Sequence, residues 1–463
     1  MKKQLGFVAP ALLLGLGLLA GSGAADAQET SAQDTSVQNE EASAEGWRLD
    51  WGLEAKAHLR HSDGNRFRNP FPFAPEQLPV GQQNSFLETV NEGDHVEVST
   101  FTLTFGAALG QAIVARAKVD FIDLYDRNPT SGDKTVDVDE VWIRFGRETA
   151  PARLADGFGA YLKVGKFGHF ERQNDRHLES YGLISTAFNR FEDTGLELGV
   201  DLGRHVYLKG SLTQGNPLFM RDPNALAGDN GTDVFLRPNP DPKLKSGIVI
   251  LYDAEVEDLD VDGDLEVGAG LGLRFENADG SRGADFLLWH YSRDLAETVE
   301  LEGTFYGGDL DLLRGPGNLF GLPVTTNQKE EDGANLWLYL GGFSLFGQWV
   351  DQEVAGLHRD GFEVEAAWRF SLPLRWSVAG RQVLPFIAPA VRYSKLVPDF
   401  AGGSPLFPAP SLRWEWEKWD YGVRLGLVQG LDLTVEYADN AFILGSGATA
   451  SNDELLTTLR WKL

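Results

Sequence analysis

The 463-residue sequence contains no cysteine. That excludes a disulfide-stapled scaffold and any thiolate metal centre. Beyond the first twenty residues it also has no run of about eighteen apolar residues, so no transmembrane helix is available in the body of the chain. Basic residues are in short supply: 41 Lys+Arg stand against 68 Asp+Glu, for a formal net charge of −27. Binding to nucleic acid depends on neutralising phosphates with Lys and Arg, so that class of partner is excluded.

Catalytic signatures are missing as well. The eight histidines show no HExxH or other ligand spacing, and neither GxSxG nor a Walker-type glycine loop occurs. The acidic stretch DLDVDGDLE (258–266) resembles a calcium loop, but the twelfth position counted from Asp258 is Ala269, where a bidentate Glu is required. It reads instead as a hairpin turn with Asp262-Gly263 at its apex. No enzyme, metal or cofactor is expected, although a hydrolase site assembled from separate strands would escape motif reading.

What is present begins with an address. Lys2 and Lys3 precede an apolar run from Phe7 to about Ala20, and Ala25-Asp26-Ala27 offers a cleavage site. Residues 1–27 therefore read as a secretory signal peptide; the other reading is an N-terminal membrane anchor, for which the run is short. Residues 28–45 are polar and acidic with no basic residue, the composition of a disordered tail. The ordered protein is expected over 46–463.

That region opens with GWRLDWGLEAKAHLR (46–60), in which every odd position from Trp47 to Leu59 is apolar and the even positions are mostly charged. Ordinary half-buried strands run for about 5–6 residues, and this alternation is far longer. It recurs at 111–125, 264–276, 361–370 and 454–463. Lipid outside and water inside account for long strands with one apolar and one charged face, which predicts an all-β, transmembrane, antiparallel up-and-down β-barrel. Tryptophans near strand ends, such as Trp47, Trp51, Trp419 and Trp461, fit the headgroup level.

Long linkers are expected at about 61–94, 126–135, 169–190, 215–245, 277–283, 307–332, 355–360, 398–411 and 441–453. They alternate with tight turns near 110, 148–157, 203–204, 258–263, 295–296, 341–342, 372–384 and 429–430. This counts to eighteen strands, with sixteen as the alternative, and either number leaves an aqueous channel.

Although the whole chain is acidic, the inward-facing positions carry nearly balanced charge, with Arg116, Lys118, Arg144, Lys163, Arg274 and Arg369 among the cations. Charges lining a pore set its preference, since the screening length is about 8 Å at physiological ionic strength. The linker HFERQNDRHLESYGLISTAFNR (169–190) holds enough aromatic and aliphatic surface to pack against a wall. It is expected either to fold inward as a constriction carrying Arg172 and Arg176, or to lie over the barrel mouth.

The stretch YLKVGKFGHFERQNDRHLESYGLISTAFNRFEDTGLELGVDL (161–202) resembles the strand, inserted loop and following strand of the phosphate-selective porin family, chiefly through Val164–Phe167 (VGKF) and Thr194–Gly199 (TGLELG). The resemblance implies a Gram-negative outer-membrane porin, generally a homotrimer, in which lumenal Arg and Lys guide anions. This chain departs from that family in its count of eighteen strands against sixteen, its acidity and its terminal Leu463.

The expected function is passive diffusion of small hydrophilic solutes, with a preference for anions such as phosphate, across an outer membrane whose lipids contact the barrel. The rival is a structural or adhesive barrel with cation-binding acidic loops and no open pore. An even strand number puts both ends of the barrel on the periplasmic side. External protease on intact cells is thus expected to spare a tag placed within residues 28–45; its cleavage from outside would refute the topology.

Overall fold

A computed structural model describes residues 46–63, 66–68, 86–88, 93–122, 136–188, 192–215, 218–220, 250–253, 265–295, 299–302, 324–374, 376–378, 380–400, 414–443, 449–451 and 453–463. The expected signal peptide and acidic tail lie outside the described residues. Sixteen long strands make up the fold. The first eight are β1 (Trp47–Ser62), β2 (Gly93–Leu109), β3 (Ile113–Ile122), β4 (Val136–Gly146), β5 (Gly159–Gly168), β6 (Glu192–Asp201), β7 (Val206–Thr213) and β8 (Glu266–Glu276). The others are β9 (Arg282–Asp294), β10 (Gln328–Leu340), β11 (Phe343–Val354), β12 (Leu357–Trp368), β13 (Phe386–Pro398), β14 (Glu415–Val428), β15 (Leu431–Ile443) and β16 (Glu454–Lys462).

Each strand pairs antiparallel with its neighbour in sequence, and β16 pairs with β1 from Glu54↔Lys462 to Ser62↔Glu454. The sheet therefore closes into an up-and-down barrel without an edge. Phe370–Ser371 and Thr449–Ser451 are short additions that pair with β13 and β15.

The eighteen-strand expectation is corrected to sixteen barrel strands. Ile250–Asp253 and Val299–Glu302 leave the wall and join Leu218–Met220 in a separate three-stranded sheet. Four-residue strands are far below the 9–11 residues needed to cross a bilayer. With those two strands removed, 277–281 becomes a tight β8–β9 turn rather than a long linker, and the turn expected at 295–296 moves to the end that carries the long loops. The linker expected at 355–360 shrinks to Ala355-Gly356, a two-residue hairpin turn in which both residues have positive φ (55° and 90°).

Burial follows the alternation. On β1 the outward Trp47, Leu49 and Trp51 are 60%, 78% and 69% exposed, whereas the inward His58, Arg60 and Ser62 are 5%, 2% and 1% exposed. Apolar side chains outside and polar ones inside invert the arrangement of a soluble protein. Lipid is the solvent that stabilises it, and the barrel spans a membrane. The opening stretch of the sequence thus has its tryptophans on the lipid face and its charges on the lumen face.

The strands differ in what they present inward. β9 carries Leu287, Trp289 and Tyr291 into the lumen, all buried, with Leu288 exposed outside. These residues join an apolar cluster inside the barrel with Trp337, Phe346, Trp416, Phe442 and the short helix α1 (Leu183–Ala187). A lumen filled with water alone would not accept such a cluster, so one side of this barrel is lined for protein.

The exposed outer face yields a stability prediction. Leu271, on the outer face of β8, is about half exposed. Leu271→Arg is expected to destabilise the barrel by about 2–4 kcal/mol, the cost of a lipid-facing arginine near the midplane. Urea unfolding from lipid vesicles reads this; an unchanged midpoint would place that face away from lipid.

Candidate functional site

The segment 169–188 connects β5 to β6 and folds into the lumen. Its apolar residues supply the driving force: Leu178, Leu183, Ile184, Ala187 and Phe188 are all buried. The wall is cut to receive them. A Cβ on Gly422 of β14 would stand 2.4 Å from Leu178 Cδ2, and one on Gly361 of β12 would stand 2.4 Å from Ile184 Cδ1. Only glycine leaves these recesses open.

Polar contacts carry the segment across the lumen to the opposite wall. Tyr291 Oη on β9 donates to Glu171 Oε2 at 2.6 Å, and the backbone N–H of His177 donates to Glu365 Oε1 on β12 at 2.9 Å. The backbone N–H groups of Glu179 and Ser180 donate to Glu436 Oε2 on β15 at 2.9 and 3.3 Å. Arg392 on β13 donates to Ser180 O at 3.0 Å, and Lys418 on β14 donates to Tyr181 O at 2.9 Å. In this way a loop with little regular structure satisfies its backbone groups inside a barrel.

Arg392 is itself buried between Asp420 (2.8 Å) and Glu365 (3.4 Å). Buried charges of this kind persist only when paired and hydrogen-bonded.

Glu179 is the second anchor. It pairs with Lys56 on β1 (3.1 Å) and Arg424 on β14 (2.7 Å), with Arg460 of β16 at 3.8 Å. Burial alone would raise its carboxyl; Lys56, Arg424 and Arg460 outweigh that and hold it well below the ordinary carboxylate value. At the short-turn end Glu148 plays a comparable part among Arg144, Lys163 and Lys209. Burial would raise it too, and Lys163, Lys209 and Arg144 bring it well below the ordinary value.

The loop divides the lumen unequally. On the half it covers, the side chains of Lys329, Arg392 and Lys418 are 6%, 0% and 2% exposed. On the β1–β4 half, those of Lys56, Arg116, Lys118 and Arg144 are 19%, 21%, 27% and 13% exposed. The cations of the β1–β4 wall are thus less deeply buried than Lys329, Arg392 and Lys418.

Of the expected pore residues, Arg116, Lys118 and Arg144 stand on that wall, and Arg172 and Arg176 on the loop. Each wall cation has a carboxylate neighbour: Arg116 with Glu140 (3.4 Å), Lys118 with Asp120 (3.4 Å) and Asp139 (2.5 Å), Arg144 with Glu148 (3.1 Å). Arg172 is ion-paired with Glu192 at the start of β6 and so helps anchor the loop. Arg176 lies over the Tyr181 ring, 3.7 Å from its centroid.

Lys163, Arg274 and Arg369 stand elsewhere. Lys163 is buried against Glu197 (3.2 Å) and Glu148 (3.3 Å). Arg274 is buried between Asp201 (2.7 Å) and Asp285 (3.5 Å), over the Tyr207 ring. Arg369 follows β12 at the short-turn end, over the Phe386 ring. Alternation puts all three on the inward face, but it does not reveal which inward groups are covered by protein. Alternation likewise places Glu365, Arg392 and Glu436 on the inward face without revealing that they hold the loop. The structure also gathers His169, Asp193 and Glu266, whose positions along the chain show no ligand spacing.

No protein-family model and no curated protein sequence matches the chain. Among solved structures, it is similar to the outer membrane channel DcaP of Acinetobacter baumannii, with 11% identity and a TM-score of 0.49 over 91% of this chain and 99% of that one. It is also similar to Pseudomonas putida OprB, with 10% identity and a TM-score of 0.48 over 90% and 94% of the two chains. The anion-selective porin from Comamonas acidovorans shows 8% identity and a TM-score of 0.44 over 90% and 100%.

The Glu179 anchor predicts a pH dependence. A carboxyl depressed in the folded state contributes stability above its unfolded value, and that contribution is lost as pH falls through the lower folded value. Glu179→Gln is therefore expected to be less stable than wild type at pH 7, with the gap closing only below the ordinary Glu value of 4.5. Urea unfolding followed by the fluorescence of Trp289, Trp337 and Trp416 reports it. A gap already closed at pH 5 would contradict the assigned pairing.

Proposed function

We propose that the protein is a Gram-negative outer-membrane porin for passive diffusion of small hydrophilic solutes, with a preference for anions. The observation that carries this reading is the division of the lumen: one half is packed by the loop, while the β1–β4 wall holds partly exposed ionic side chains. Such a wall gives an ion a hydrated path, and low-dielectric surroundings focus the field of the groups that line it.

The anion preference rests on Lys56, Arg116, Lys118, Arg144 and Arg176 around the passage. Lys118 is the clearest case, its side chain 27% exposed against 13% and 16% for its partners Asp120 and Asp139. The net charge of −27 belongs to the chain as a whole, and its distant part is screened within about 8 Å. The resemblance of 161–202 to the phosphate-selective porins supports the same reading. It also supports a homotrimer and phosphate-like anions as solutes.

The test is single-channel recording on the purified protein in a planar bilayer. Discrete conductance steps are expected, and Arg116→Gln with Lys118→Gln should move the reversal potential in a KCl gradient towards cations. These two positions are better probes than Arg172, whose replacement would also release its Glu192 partner. Absence of steps would overturn the porin and leave the structural or adhesive barrel. Steps with an unchanged reversal potential would overturn the anion preference alone.

A further inference from the structure

At the root of the lumen loop, three groups from separate elements converge. His169 begins the loop, Asp193 lies on β6 and Glu266 begins β8, and each offers a ligand atom within 4.8 Å of the others. They are 8%, 5% and 0% exposed. Neither ring nitrogen of His169 makes a hydrogen bond, and Glu266 Oε1 has none either. Two buried, unpartnered atoms on this cluster, His169 Nε2 and Glu266 Oε1, thus stand beside Asp193.

The spacing is informative. His169 Nε2 stands 3.7 Å from Asp193 Oδ2, and Nδ1 stands 3.5 Å from Glu171 Oε1. A protonated imidazole between two carboxylates would draw them in to about 2.7–2.9 Å. By contrast, two ligands on a tetrahedral ion with bonds of about 2.1 Å stand about 3.4 Å apart.

The surroundings fit a metal site. Glu171 faces the second ring nitrogen, as the carboxylate behind a metal-bound histidine does, fixing the tautomer and orientation of the ring. Glu171 is in turn held by Tyr291 Oη at 2.6 Å. Asp193 Oδ2 accepts from the backbone N–H of Gly215 at 3.0 Å, and Glu266 Oε2 accepts from Lys329 Nζ at 2.6 Å, which leaves Oε1 for the ion.

We propose that His169 Nε2, Asp193 and Glu266 bind a divalent cation of the zinc type, which clips the root of the lumen loop to β6 and β8. One imidazole nitrogen with two carboxylates suits a borderline cation, whereas calcium and magnesium favour oxygen alone. The ion neutralises two carboxylates that otherwise face each other in a buried space. The site stands without any assumption about permeation; its role in steadying a constriction rests on the porin reading.

The test is elemental analysis of the protein purified natively from zinc-supplemented cells and washed with EDTA. About one zinc per chain is expected. His169→Gln with Asp193→Asn should lose at least nine-tenths of it, while His290→Gln, which alters an exposed imidazole beside Asp332, should keep it.

Protein from cobalt-grown cells should show the visible absorption of tetrahedral Co(II), a readout that needs no variant. Glu171→Gln, which leaves the three ligands in place, should weaken zinc affinity by about 10–100-fold. Wild type without zinc or cobalt absorption would overturn the proposal, as would zinc retained in the double variant. Conductance steps without metal would overturn the clip and keep the porin, and metal without steps would do the reverse.

Discussion

In a bilayer no water is available to the backbone, so each N–H and C=O must find its partner within the protein. Everything else here depends on that requirement. A sheet meets it only by closing, as β16 does on β1. Closure puts one face of every strand in lipid and the other in the lumen, which is why Trp51 and Arg60 of a single strand live in opposite surroundings. The apolar belt is then a consequence of the backbone, and the charged interior is what remains for the other face.

A charged interior creates a second problem, because a loop that enters it must bury groups that water would otherwise solvate. The segment 169–188 solves this by borrowing the wall. Its backbone N–H groups are taken by Glu365 and Glu436, and its carbonyls by Arg392 and Lys418. Those four wall residues stand one on each of the adjacent strands β12, β13, β14 and β15, each at an inward position. Glycines at 361 and 422 complete the fit by admitting Ile184 and Leu178. On the half of the barrel that does this, Arg392 and Lys418 are almost fully buried, while Arg116 and Lys118 on the β1–β4 half keep about a fifth to a quarter of their side chains exposed.

Much of this was legible from alternation. Long two-residue periodicity with charge on one face identifies lipid-facing strands, and β1, β3, β8, β12 and β16 follow it closely. The count went wrong where periodicity is brief: residues 250–253 and 299–302 look like strands and are strands, but they pair with each other and not with the wall. Local pattern records that a segment is extended, while the partner it chooses is a long-range matter. On β9 the alternation is blurred because Leu287, Trp289 and Tyr291 face inward to pack the loop, so both faces of that strand are apolar.

Sequence alone determined the closed transmembrane barrel, because the lipid and lumen faces of a strand differ in every second residue. It also pointed to 169–190 as a segment with enough apolar surface to pack. Only the tertiary structure decided that this segment crosses the lumen, that Arg116 and Lys118 keep partial exposure while Lys163 and Arg274 are buried, and that His169, Asp193 and Glu266 meet. The reason is distance along the chain. Whether an inward group meets water or protein depends on what another part of the chain lays over it, and no periodicity within one strand records that.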